Sequence, residues 1–167
     1  KRQILDVLCH SASPGTTLAV DRSSHRLDIA QKLGADWALN IDEEDPVEKA
    51  RDLTNGVGFD CVIEAVGHYH LAPGGEPPLA QAVQMIRNGG RIVTAGLGEQ
   101  VSRVHFKTLV LKEAQIIASR VTCGEFPRAL RLMSRGLLHP DLLVTHQLPL
   151  RDIEAAFKQV DGEDPHT

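Results

Sequence analysis

The 167 residues (18.2 kDa) suit one ordinary domain, and at 42% hydrophobic and 24% charged they exclude wholesale disorder. A net charge of −4, with basic residues scattered along the chain, excludes the basic stripe of a nucleic-acid or anionic-membrane surface. The longest stretch without Asp, Glu, Lys or Arg, Val7 to Val20, is too short and too polar to cross a bilayer, so no membrane partner is expected.

Aromatics are only 4%, so the core must come from Leu, Ile, Val and Ala. Cys9, Cys61 and Cys123 are odd in number and widely spaced, which indicates neither a disulfide framework nor a zinc knuckle. The opening Lys-Arg-Gln-Ile-Leu-Asp lacks the pattern of a signal peptide, and a reducing, cytoplasmic setting is the expectation.

Strand-like and helix-like runs alternate. Thr17–Val20 is a short apolar strand ending at Asp21. Ser23 or Ser24 then caps a helix with Leu27, Ala30 and Leu33 at helical spacing, closed by Gly34. Trp37–Ile41 follows as a strand. Asp45-Pro46 starts a helix bearing Val47, Ala50 and Leu53, and Asn55-Gly56 ends it. Phe59–Val66 is the strongest strand signal, nearly continuous in apolar residues, with Cys61 expected in the core. After a Pro/Gly-rich loop from His68 to Pro78, Leu79, Ala82, Val83 and Ile86 mark a helix. Asn88-Gly89-Gly90 is expected to break it before the strand Arg91–Ala95. Gln115–Ser119 is a further strand, and Phe126, Leu130, Met133 and Leu137 trace a helix started by Pro127. The tail from His139 departs from this rhythm, with a short helix over Ile153, Ala156, Phe157 and Val160.

Strands separated by helices at this spacing predict α/β architecture with a doubly wound parallel sheet of the Rossmann type. Ligands of such sheets bind beyond the carboxyl ends of the strands. Four ends therefore matter: Asp21, Glu64–Gly67, Ala95–Gly98 and Ser119–Arg120. An acid at Asp21 suits both ribose hydroxyls of an adenosine and repels a 2′-phosphate, although an ordinary helix-capping aspartate or a methyltransferase site reads the same way. Gly67, Gly96 and Gly98 allow close backbone approach, or are plain turn residues. His68 and His70 lack a third ligand near in sequence and read as solvated loop histidines rather than a metal pair. Neither a G-x-S-x-G elbow nor a Walker A loop is present.

Leu18-Ala-Val-Asp-Arg-Ser-Ser-His-Arg-Leu-Asp-Ile-Ala-Gln-Lys-Leu-Gly-Ala-Asp36 resembles the second strand and following helix of medium-chain, zinc-type alcohol and polyol dehydrogenases. Phe59-Asp-Cys-Val-Ile-Glu-Ala-Val-Gly67, Asn88-Gly-Gly-Arg-Ile-Val-Thr-Ala-Gly-Leu-Gly98, Thr108-Leu-Val-Leu-Lys-Glu113 and Ile117-Ala-Ser-Arg120 extend the likeness, in order and spacing, from about Leu18 to the end. Sorbitol and threonine dehydrogenases are the nearest in character.

The resemblance implies NAD as cofactor, with Asp21 on the adenosine ribose and Arg26 at the adenine. Val66 and Gly67 would flank the nicotinamide side, Gly96, Leu97 and Gly98 would line the carboxamide, and Ser119, Arg120 and Val121 would close the site. It also implies a homodimer or higher assembly formed through a sheet edge near Gln115–Ser119.

Two features depart from the family pattern. The first strand and its G-x-G-x-x-G loop are missing, Gly15 being the sole glycine before Asp21, and no segment matches the domain that carries the family's catalytic zinc ligands. The sheet is therefore expected to be truncated at its N-terminal strand, with Ile4, Leu5 and Leu8 a remnant of the first crossover helix. Residues 1–138 are expected to form the cofactor-binding domain, and 139–167 a tail returning to a catalytic domain absent here. That absent domain would supply the contacts to a small-molecule alcohol substrate. The expectation is the NAD-binding portion of a zinc-type dehydrogenase acting on an alcohol, polyol or amino alcohol, inactive by itself. The alternative is a non-catalytic nucleotide-binding or scaffold module that keeps the fold alone.

Overall fold

The computed structural model describes residues 15–67, 75–99, 101–120, 122 and 124–161. These divide into two compact units, one over 41–124 and the other over 15–40 and 125–161.

In the second of these units, strand β1 (Leu18–Asp21) pairs in parallel with β2 (Trp37–Asn40), from Leu18 opposite Trp37 to Asp21 opposite Asn40. A parallel pair needs a crossover, and helix α1 (Ser24–Lys32) supplies it. The Ser23 hydroxyl accepts from the Arg26 amide at 3.4 Å, satisfying one of the first-turn donors, and Gly34 follows the end of the helix at φ 104°. Leu27 and Ala30 pack on Ala19, with Ala35 and Ala38 against them. At the mouth of the pair, the Thr17 amide and hydroxyl both donate to Asp36 Oδ2 at 2.8 Å, which fixes where β2 begins.

The other unit starts with α2 (Pro46–Leu53), where Asp45 Oδ1 accepts from the Val47 amide at 2.7 Å and Pro46 opens the helix. Strands β3 (Phe59–Glu64), β4 (Ile86–Thr94) and β5 (Gln115–Ala118) form a parallel sheet in the order β3-β4-β5. Helix α3 (Pro78–Met85) links β3 to β4, and α4 (Phe106–Lys112) links β4 to β5. Ala82 and Val83 of α3 enclose Ile86 and Ile92, both with no exposed surface, and Val62, Leu79, Val104, Leu109 and Ala114 pack around them. Removing two isoleucine side chains from water contributes about 1.5–3 kcal/mol each.

Three features differ from the sequence expectation. Asn88-Gly89-Gly90 does not break the chain ahead of a strand: β4 begins directly after α3, and Ile86 already pairs with Phe59. The next matched pair is Cys61 with Arg91, so Arg87 to Gly90 form a bulge, with Gly89 at φ 66° and Arg87 Nε held on Asp60 Oδ1 at 2.5 Å. Cys61 is exposed rather than in the core: it and Asp60 are the two uncovered residues of β3, the other four being partly buried. Helix α4 occupies a stretch to which periodicity assigned no element. Its short apolar run, Thr108 to Leu111, suits strand and helix equally.

The 125–161 stretch carries α5 (Phe126–Ser134), two short 3₁₀ turns at Pro140–Leu143 and Leu150–Asp152, and α6 (Ile153–Asp161). None of the described helices is long and apolar enough to cross a membrane.

Lys112, at the end of α4, locks the sheet unit together. Its ammonium donates to the carbonyls of Val83, Gln84 and Ile86 at 3.0, 2.8 and 2.6 Å, covering the C-terminal turn of α3. The Val83 and Gln84 carbonyls belong to the last turn of the helix, beyond its internal hydrogen bonds and at its negative end, so a cation there is favoured twice, and the Ile86 carbonyl opens β4. Burial lowers the Lys112 pKa, so the charge is held there at a desolvation cost. Lys112→Met keeps the aliphatic stem and removes the donors, and should lower unfolding free energy by about 1–3 kcal/mol in a urea titration. An unchanged midpoint would show that water serves these carbonyls equally well.

Candidate functional site

Parallel pairing brings the carboxyl ends of neighbouring strands out at the same edge. In the β1-β2 unit the edge residue is Asp21. Its Oδ1 accepts from the Arg22 and Ser23 amides at 2.8 and 3.0 Å, so the carboxylate folds back over its own turn. Arg26, one turn into α1, places NH1 3.6 Å from Asp21 Oδ2. Both side chains are about three-quarters buried, which restrains the pair more than an open surface contact would. The two residues assigned to the adenosine end are thus neighbours in the fold.

In the sheet unit, Glu64, Thr94 and Ala118 lie in register at the ends of β3, β4 and β5. The chain leaves each strand to form the next three groups of candidate residues: Val66 and Gly67, then Gly96, Leu97 and Gly98, then Ser119 and Arg120. Strand β3 stops at Glu64, two residues earlier than expected, because Glu64 Oε1 takes up the Val66 amide at 2.8 Å and the Gly67 amide at 3.4 Å. The Glu64 carbonyl accepts from Ala95 and Gly96 at 2.7 and 3.0 Å, and the Thr94 carbonyl from Ser119 at 2.9 Å.

The first two loops meet main chain to main chain. Gly67 has φ +70°, and a Cβ there would lie 2.5 Å from the Leu97 carbonyl oxygen. A Cβ on Gly96 would lie 2.3 Å from the Gly67 nitrogen and 3.0 Å from Glu64 Oε1. Neither position admits a side chain without displacing backbone, so both glycines are demanded by contact, and Gly67 by its positive φ as well. Leu97 and Gly98 are exposed beyond this junction, as are Ser119 and Arg120. Val121 lies outside the described residues, as do His68, His70, Cys9, Cys123 and the Ile4–Leu8 segment.

Glu64 is the functional candidate to which sequence reasoning gave no role. Its signal was present: a carboxylate ending an apolar strand, three residues before a glycine. A polar groove of about 410 Å³ between α2 and α3, lined by Asp45, Glu48, Arg51, Glu76 and Gln84 among others, includes no strand-end residue. Among the described residues, no group of three or more His, Cys, Asp or Glu side chains is arranged to hold a metal ion.

Two parallel sheets with crossover helices, and candidate residues gathered at the carboxyl ends of the strands, define an α/β protein of the Rossmann type. Residues 9–135 match the model of the zinc-binding dehydrogenases, and the chain belongs to that family. It is 34% identical over 153 residues to L-threonine 3-dehydrogenase of Bacillus velezensis, an alignment covering 88% of this chain and 41% of the relative. It is 31% identical over 149 residues to erythritol/L-threitol dehydrogenase of Mycolicibacterium smegmatis, covering 89% and 39%. Among solved structures, 2R,3R-butanediol dehydrogenase from Bacillus subtilis superposes with a TM-score of 0.83 at 25% identity, covering 99% of this chain and 45% of that one. An Escherichia coli CFT073 alcohol dehydrogenase complexed with NADH gives 0.79 at 27% identity, covering 99% and 45%. The chain thus spans about two fifths of the length of the curated relatives it matches. The described residues do not offer a donor set that fits the zinc ion implied by the family name.

Cys61 lies on β3 but is not poised as a nucleophile. Although the residue as a whole is exposed, burial of the thiol raises its pKa, with Arg91 opposing and Asp60 adding to the rise. The reactive thiolate is therefore scarcer at neutral pH than for a free cysteine and grows only as pH climbs through the alkaline range. Iodoacetamide labelling of the Cys61 peptide, followed by mass spectrometry from pH 7 to 10, should show slow modification at neutrality and a steep alkaline rise. Rapid, pH-independent labelling would contradict this environment.

Proposed function

We propose that this chain is the NAD-binding portion of a dehydrogenase that oxidises an alcohol, polyol or amino alcohol. The observation that carries the reading is the Asp21–Arg26 arrangement at the end of β1. Oδ1 is held by two backbone amides, which leaves Oδ2, beside the guanidinium, to present the charge. A carboxylate fixed at this strand end suits a ribose diol as acceptor and meets a 2′-phosphate with like charge. Arg26 would lie against the adenine.

In the other unit, the Val66-Gly67 and Gly96-Leu97-Gly98 backbones would border the nicotinamide and its carboxamide, with Ser119, Arg120 and Val121 closing that end. NAD, when bound, accepts the hydride, and the chain's own residues bind and orient it. The NADH in the related Escherichia coli structure supports this choice of cofactor. The names of the threonine and erythritol/threitol relatives support a small hydroxylated substrate. In this reading, residues 1–138 serve the cofactor, 139–167 return to a catalytic domain, and the protein works in the cytoplasm.

The β5 edge supports self-association. All four of its residues are exposed, Ile116 and Ile117 among them, and β5 pairs only with β4 among the described residues. We read this edge as the surface on which a second copy adds its own sheet.

Calorimetric titration should show NAD binding at least about tenfold tighter than NADP, a difference of about 1.4 kcal/mol. Asp21→Gly should narrow or reverse that preference. Equal or tighter NADP binding by the unaltered protein overturns the assignment of Asp21, and no binding of either nucleotide favours a scaffold module. Light scattering should give a dimer that Ile117→Lys dissociates. A monomer for the unaltered chain at up to about millimolar concentration removes the edge-pairing model.

A further inference from the structure

Glu64 collects four backbone amides, two on its side chain and two on its carbonyl, from two different loops. We propose that Glu64 is a positioning residue, which sets the spacing between the Val66-Gly67 loop and the Ala95-Gly96 loop and thereby shapes the ledge assigned to the nicotinamide end of the cofactor. The proposal rests on the dinucleotide reading for its consequence. Its geometry stands on distances within a single unit of the fold.

The carbonyl bonds reach Ala95 and Gly96 across the β3-β4 boundary and do not touch the first loop. Oε1 adds a hydrogen-bonded restraint on that loop to the main-chain contact at Gly67. It holds Val66 and Gly67 from the same residue whose carbonyl holds the neighbouring loop, so both loops are referred to one Cα. The side chain is half-buried, and Oε1 lies 3.0 Å from where a Gly96 Cβ would project. The carboxylate therefore occupies the gap beside the glycine contact and closes it to other side chains.

Chain length matters here. The two methylenes of Glu place Oε1 over the amides two and three residues ahead, whereas Asp, one methylene shorter, reaches such amides only when its loop draws in closer, as at Asp21 and Asp45, and so would shift the Val66-Gly67 loop. Charge matters less: a carboxylate strengthens bonds to N–H groups, but the carbonyl oxygen of Gln accepts in the same place. A residue that merely capped the strand end would affect stability alone. A positioning residue also affects ligand affinity at temperatures where the variant is fully folded.

The test compares Glu64→Ala, Glu64→Gln and Glu64→Asp in the 167-residue chain. Site-resolved amide hydrogen exchange and NADH titration are both run well below each variant's Tm. Loss of both side-chain hydrogen bonds predicts that Glu64→Ala speeds exchange at Val66 and Gly67 by about tenfold or more relative to Ile92, and weakens NADH binding by about tenfold. Glu64→Asp should move both readouts in the same direction and serves if the alanine variant does not fold. Glu64→Gln should restore both to within about twofold. The proposal is overturned if exchange at Val66 and Gly67 keeps pace with Ile92. It is equally overturned if affinity is unchanged while exchange rises, or if Gln is as impaired as Ala. Failure of the unaltered protein to bind NADH would instead overturn the cofactor reading, with the exchange comparison still deciding whether Glu64 holds the two loops.

Discussion

Parallel strand pairing is the constraint from which the remaining structure follows. Strands that run the same way cannot be joined by a tight turn, so each connection must climb back along the sheet, and helices are the compact means of doing so. The strands then end together. Asp21 stands opposite Asn40 in one sheet, while Glu64, Thr94 and Ala118 stand abreast in the other. Residues far apart in the chain, Val66 and Ser119 for instance, leave the same edge because of this register. The candidate residues of the sheet unit are adjacent without any direct attraction among them.

That edge is held by backbone chemistry more than by side-chain packing. Ile86 and Ile92 fix the sheet to its helix from beneath, and Lys112 ties the end of α3 to the end of α4. At the strand ends the apolar material runs out. What remains is a set of amides whose acceptors are the carbonyls of Glu64 and Thr94 and the carboxylate of Glu64, together with two glycines in main-chain contact. Rigidity there comes from satisfied hydrogen bonds at short range, a suitable basis for presenting backbone to a flat ligand.

Much of this was legible in the sequence, for identifiable reasons. Caps are local, so Ser23 and Asp45 marked their helix starts. The apolar run before Gly67 announced β3, and the acid at residue 21 announced the end of β1. Long-range pairing was not legible. Asn88-Gly89-Gly90 looks like a stop in any local window, and only its position opposite Asp60 and Cys61 makes it a bulge within β4. Cys61 misled because an apolar-looking run implies burial on both faces, whereas the outward part of β3 is left uncovered among the described residues. The role of Glu64 was hidden for a related reason: nothing in the one-dimensional pattern shows that its carbonyl and its carboxylate serve different loops.

The turn after β1 carries an evolutionary consequence. One oxygen of Asp21 closes the Arg22-Ser23 turn that leads into α1, while the other faces Arg26, so folding and recognition draw on the same side chain. Drift at this position is therefore channelled. Asn keeps an oxygen for the two amides and sheds the charge, whereas Gly or Ala discards both at once and loosens the entrance to the helix. A lineage changing its nucleotide would pass most easily through an amide intermediate, or would first acquire stability elsewhere in α1. Sequence variation at residue 21 among close relatives should carry the imprint of that order.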